Sequence, residues 1–288
     1  MSPDSVSVLV RSGALVSLFQ TVGIALFLAI FGQHVSRSGA LIRRLGLLAA
    51  SGGIILVIAH QALEVARMAD DFGEILNVDL LRMAVLSTNG AVHGLQVVGL
   101  AALIAGLTHS GPRARIWALG GSALAILAFA LTGHTSVHAH RWLLAPLLIS
   151  HLSIIAFWFG ALAPLLIVTD REARPDTAWI LMRFSRIATW LVPGILVAGL
   201  AMAFALIPNA SVLRQPYGEL LAAKAMGFGL LMGLAALNKW RLVPTLLPDP
   251  AASIAALRRS IATEYALIVA VLSLTAVLTT FYSPNPTI

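Results

Sequence analysis

Eight histidines lie in this chain of 288 residues, and all of them fall within its first 151 positions. Imidazole can hold a metal ion and can carry a proton near neutral pH, so a chain that confines it to one half has a local use for it. Six form the candidate set: His60, His93, His134, His138, His140 and His151. Three of these crowd into Thr132-Gly-His-Thr-Ser-Val-His-Ala-His-Arg141, a density of imidazole that reads as metal capture. His60 and Glu64 stand four residues apart with Gln61 beside them. On a helix that spacing places imidazole and carboxylate on one face, the arrangement of a metal ligand with a carboxylate partner. Met202 and Met226 add thioether sulfur, a soft donor suited to monovalent copper, while Met68 and Met83 flank a polar segment and read as filler. His34 and His109 fall at the ends of apolar runs and read as solvated interfacial residues.

What must position these groups is a membrane bundle. Hydrophobic residues make up 59% of the chain and charged residues 11%, against roughly 25% charged in an ordinary soluble domain. The apolar residues come in runs at 9–31, 44–63, 83–107, 115–133, 142–168, 185–207, 218–237 and 261–282, each near the roughly 20 residues that cross a hydrocarbon core of about 30 Å. The expectation is an all-α integral membrane protein, an eight-transmembrane-helix bundle forming one domain over residues 1–288. The first ten residues carry no Lys or Arg and no small-residue cleavage site follows the first run, so that run is expected to stay in place. Lys and Arg concentrate on alternate connections, at Arg37, Arg43, Arg44, Arg113, Arg115, Arg171, Arg174, Arg183, Arg186, Lys239, Arg241, Arg258 and Arg259. By the positive-inside rule these face the cytoplasm, and both termini face the periplasm. The segment 64–82, with Glu64, Asp70, Asp71, Glu74 and Asp79, then lies outside and is expected to hold a short surface helix around Val78 to Ala84.

Depth follows from the same reading. Entry near Ala84 and Trp142 puts His93 and His151 nine residues inward, roughly 13 Å at the helical rise. Lipid offers an imidazole no partner there, so each is expected to face the bundle interior. Gly52-Gly53 and Gly229-x-x-x-Gly233 are expected to serve close helix packing.

Several function classes drop out. Without cysteine there is no disulfide, thiolate metal site or cysteine catalysis. A net charge of +7 is scattered over connections instead of forming a basic stripe, which argues against nucleic acid as a partner. The chain has no phosphate-binding glycine loop and no H-E-x-x-H, and no spacing singles out a catalytic triad, so an enzyme is not expected. Glu219 with Lys224, and Glu264 near Arg258, Arg259 and Arg241, read as snorkelling or paired interfacial charges.

The stretch 180–282 adds Arg183-Phe-Ser-Arg186, Tyr217-Gly218 with Lys224, Asn238-Lys-Trp-Arg-Leu-Val-Pro244, Leu257-Arg-Arg-Ser-Ile261 with Glu264, and Leu274-Thr-Ala-Val-Leu-Thr279. In order and spacing this combination resembles the copper resistance protein D family, CopD, and His151 through Trp158 to Gly160 extends the likeness more loosely. The histidine-rich half, residues 1–151, resembles the family mainly in helix number and in its outer histidines. The resemblance implies an inner-membrane protein that handles copper, passes it inward and acts with a separate periplasmic copper-binding protein of the CopC kind. On that expectation the ligands are His60, Glu64, His93, His134, His138, His140, His151, Met202 and Met226, with copper ion as the bound species. Two alternatives stay open. Histidines on four successive helices could instead hold haem b between paired imidazoles, as in a membrane cytochrome or metal reductase. The chain could also bind copper as a scaffold without moving it.

Overall fold

A computed structural model describes residues 2–207, 210–242 and 250–282, with the side chains of residues 134, 210 and 250–253 outside the description. Among the described residues all regular structure is helical: α1 Pro3–Phe31, α2 Gly39–Ala69, α3 Val78–Leu86, α4 Thr88–Thr108, α5 Pro112–Leu127, α6 His134–Val137, α7 Arg141–Arg171, α8 Arg174–Leu206, α9 Pro216–Leu237 and α10 Pro250–Phe281. Eight of them (α1, α2, α4, α5, α7, α8, α9 and α10) are long and apolar enough to cross a membrane. Most outrun the apolar stretch that predicts them, because a helix does not stop where its side chains turn polar. Thus α2 carries Glu64 and Arg67 and ends only where Asp70 adopts a left-handed conformation at φ 52°. Two helices depart from this: α5 ends at Leu127, where a 3-10 turn Ala128–Leu131 takes over, and α4 starts at Thr88 instead of near residue 83. Ser87 is extended there, and its side chain accepts the Gly90 N–H at 3.1 Å, an N-cap that closes one helix boundary and lets residues 78–86 form α3, the expected surface helix.

The centre of the bundle is α1, packed against α2, α7 and α10 and touching α4 and α5. Its Leu18, Phe19, Ile24, Phe27 and Phe31 are fully buried. The tightest crossing is α1 on α7 at Gly23 and Gly160: a Cβ on Gly160 would stand 2.9 Å from the Phe19 carbonyl oxygen. Gln20 clamps the same crossing by donating Nε2–H to the Gly160 carbonyl at 3.0 Å. The glycines expected to mediate packing behave differently. Gly53 meets Leu100, but Gly52, Gly229 and Gly233 have open space where a Cβ would stand. For Gly229 and Gly233 the reason is that α9 lies at the edge of the bundle, packed mainly on α10, and turns most of its surface outward. Eight crossings return the chain to the end where it began. That end, formed by the starts of α1, α4, α7 and α9 and the ends of α2, α5, α8 and α10, is called the N-terminal face below.

On the opposite face the start of α2 lacks a side-chain cap of its own. Glu172, just past α7, supplies one: its Oε1 accepts the Arg37 N–H at 2.9 Å, the Ser38 N–H at 2.8 Å and the Ser38 hydroxyl at 2.6 Å. Burial alone would raise the Glu172 carboxyl, but the hydrogen bonds from Ser38 and Arg37 outweigh it and hold the group below its ordinary range. A depressed carboxyl adds stability at pH above its unfolded value and gives it up as pH falls through the folded value. Glu172→Gln keeps an acceptor but loses the charge, and is therefore expected to melt somewhat earlier than wild type at neutral pH. The difference should close once the medium is acid enough to protonate Glu172, as thermal melts in detergent at several pH values will show.

Candidate functional site

The site grows out of α2. Its apolar residues bury Val57 and Leu63 against the bundle, and the turn between them carries His60, which is only 6% exposed. From α4, His93 meets it, His60 Nδ1 lying 3.1 Å from His93 Nε2 with the rings edge to face. His93 Nδ1 is in turn hydrogen-bonded to Gln61 Oε1, one residue along α2. These contacts order the protons. A carbonyl oxygen only accepts, so His93 donates from Nδ1 and, as a neutral ring, accepts at Nε2; His60 must then donate from Nδ1, which leaves its Nε2 a bare lone pair. That Nε2 is buried and has no hydrogen-bond partner. It faces Glu64 Oε1 at 3.7 Å.

Around that atom lies a cavity of about 170 Å³, lined by Arg11, His60, Glu64, Arg67, His93 and Gln96 among others. Its charges are chained. Arg67 donates to Glu64 at 2.8 Å and to Asp4 at 2.6 Å, so one guanidinium ties the start of α1 to the end of α2. Arg11 comes from within the first apolar run, where an arginine should itself have signalled a polar interior; Gln61 and Arg67 gave no signal beyond lying near His60 and Glu64, and Asp4, far from them in sequence, gave none.

The other expected residues lie elsewhere. His151 is on α7 and is hydrogen-bonded through Nδ1 to the Ile195 carbonyl of α8 at 3.0 Å. Gly199 makes room for it, since a Cβ there would stand 3.4 Å from the ring. His93 is the sixth residue of α4, counted from the N-cap at Ser87, and His151 is the eleventh of α7. His138 and His140 sit together between α6 and α7, ring centroids 5.6 Å apart, with the His140 N–H donated to His138 Nδ1 at 3.0 Å. His134 opens α6, its side chain outside the described part. Met202 is half-buried on α8, and Met226 is 67% exposed on α9; neither lines the cavity. Among the described residues no three His, Asp or Glu side chains converge on one ion position. The reason is visible at His60, whose two nitrogens point to His93 on one side and Glu64 on the other.

Relatives give the site its context. The family described as Copper resistance protein D matches residues 178–278, and the family described as Copper resistance protein D-like, N-terminal domain, matches residues 1–142. Copper resistance protein D of Pseudomonas syringae pv. tomato is 30% identical over 261 residues, covering 84% of this chain and 83% of its own length. The chain belongs to the copper resistance protein D family. No solved structure matches it. As a member of the copper resistance protein D family with eight membrane-length helices, it is a multi-pass inner-membrane protein of copper resistance. The paired histidines fall in the N-terminal match, and the buried Glu264 and Asn238 in the other.

Proposed function

We propose that this chain carries copper ions across the inner membrane toward the cytoplasm, with His60 as the first buried ligand. One observation carries the reading: the bare Nε2 of His60, buried without a partner, faces a carboxylate in a polar cavity near the N-terminal face. Two metal–ligand bonds of roughly 2 Å each span such a gap, and the His60–Glu64 separation is 3.7 Å. The donation from His60 to His93 and on to Gln61 is what a metal-bound imidazole needs behind it, since it fixes the tautomer and raises ligand basicity. The alternating Lys and Arg orient the N-terminal face to the periplasm. There a CopC-like protein would deliver the ion, and His134, His138 and His140 would take it up.

Arg67 sets the condition for entry. While it holds both Glu64 and Asp4, the carboxylate is neutralised and a cation is repelled; turning wholly to Asp4 frees Glu64 for the ion. His151 and Met202 offer donors further along, and Met226, facing outward, does not. The packing of α1 against helices from both halves supports reading the chain as one transmembrane domain. A haem between His60 and His93 would need its two ligating nitrogens roughly 4 Å apart with a macrocycle between them. They are instead in direct hydrogen bond at 3.1 Å, which favours an ion.

Proteoliposomes containing the purified chain and an internal copper chelator test the reading. Copper is expected to enter vesicles with the protein well above the rate of empty ones, with no Soret band in the optical spectrum. Binding without entry would leave a scaffold, and a Soret band that shifts on reduction would leave a cytochrome.

A further inference from the structure

A second pocket lies near the opposite face. A cavity of about 410 Å³ opens between α7, α8, α9 and α10, walled mostly by apolar side chains such as Leu162, Phe184, Val192 and Met232. Its polar end is Glu264 of α10, 3% exposed and hydrogen-bonded by Asn238 and Trp158. Glu264 stands six residues beyond Arg258, roughly 9 Å along the helix axis, too deep for an interfacial charge. Asn238 sits where α9 widens into a π-turn, Asn238–Leu242, a distortion that recurs at functional sites because it re-aims side chains.

The hydrogen bonds there are one donor short. Asn238 gives Nδ2–H to Glu264 Oε1, yet Asn238 Oδ1 is buried with no partner. An ionised Glu264 cannot help, because a carboxylate only accepts; a protonated one can, because its O–H supplies the donor that the amide oxygen lacks and closes a reciprocal acid–amide pair. No ion pair compensates a charge on it among the described residues. On α10, Arg258 is engaged by Asp170 of α7 at 3.1 Å, and Tyr265 stacks on Phe159. On α9, Lys239 lines the same cavity, lies 5.8 Å over the Trp240 ring and forms no ion pair with Glu264 among the described residues. From α8, Ser185 and Thr189 line the cavity, the Thr189 hydroxyl donating to the Ser185 carbonyl at 2.7 Å, and the charged residues of α1, Asp4 and Arg11, are at the other end of the molecule. A lone carboxylate so placed is costly to desolvate, and a bound proton removes the cost.

We propose that Glu264 and Asn238 form a proton-binding site reached through this cavity, the proton adding to a Glu264 carboxylate oxygen and leaving from it with no other bond changed. As the site of a co-ion the assignment deepens the transport reading and rests on it, but its test uses no copper. The intact wild-type chain, in vesicles, is treated with dicyclohexylcarbodiimide, which reacts with protonated carboxyls in apolar surroundings, and the labelled peptide is identified by mass. Glu264 is expected to be the principal labelled residue, with labelling that falls several-fold as pH is raised; Glu264→Gln should lose the label and with it a carboxylic C=O band in the infrared. Absence of label on Glu264 at every pH, or label independent of pH, overturns the proposal. A chain labelled at Glu264 that moves no copper would refute the transport reading and keep the proton site. Copper flux without label would do the reverse.

Discussion

Replacing His60 by alanine is expected to abolish high-affinity copper binding, and replacing its neighbour His93 to weaken it by about 10–100-fold, the usual effect of losing a group that orients a ligand. The two differ because they do different work. His60 owns the free nitrogen, whereas His93 holds the ring that bears it and passes the hydrogen bond to Gln61. Gln61→Leu removes the acceptor that commits His93 to donate from Nδ1, so it should resemble His93→Ala. Glu64→Gln keeps shape and loses charge; it should cost affinity and release Arg67 to Asp4 alone. Titration of each purified variant with monovalent copper against a competing chelator checks the order. Equal affinities for wild type and His60→Ala would remove this site from the copper path.

The second large effect is on folding. Gly160→Leu is expected to leave little folded protein, because the side chain would drive into the backbone of α1 where the two helices come closest. Overpacking costs typically about 1–3 kcal/mol, and here the obstacle is backbone that no rotamer change relieves. The Gln20 clamp on the Gly160 carbonyl would part as well. Gly229→Leu is the control: it faces open space on α9 and should express and melt as wild type does. Detergent-solubilised yield and thermal melts distinguish the pair. A Gly160→Leu protein as stable as wild type would mean that α1 and α7 do not cross at these glycines.

How much of this was readable in the sequence depends on which force set each feature. Run length against bilayer thickness gave eight spans, because in lipid a helix must satisfy its own backbone. The helix period gave the shared face of His60 and Glu64, a local relation. What local rules could not give was which helices adjoin. That His93 pairs with His60 rests on α4 packing against α2, a relation that no local rule supplies. The Ser87 cap of α4 stood in plain view before Thr88-Asn-Gly, yet the run of apolar residues across 83–107 concealed it. Glu264 read as an interfacial charge because Arg258 and Arg259 stand near it in sequence, whereas Asn238 and Trp158, from two other helices, are its partners. Gly229 and Gly233 of α9 matched a packing pattern, but among the described residues a Cβ at either would meet open space, and it is Gly227 that stands against Val271 of α10.

The claim that everything else serves is that copper binds at the free nitrogen of His60. X-ray absorption at the copper edge, on the purified chain loaded with one equivalent of monovalent copper, reads it most directly. The expected spectrum shows imidazole scattering around copper in wild type that is lost in His60→Ala and kept in His151→Ala. A spectrum in which His60→Ala changes nothing, or in which the ligands are sulfur alone, would contradict it.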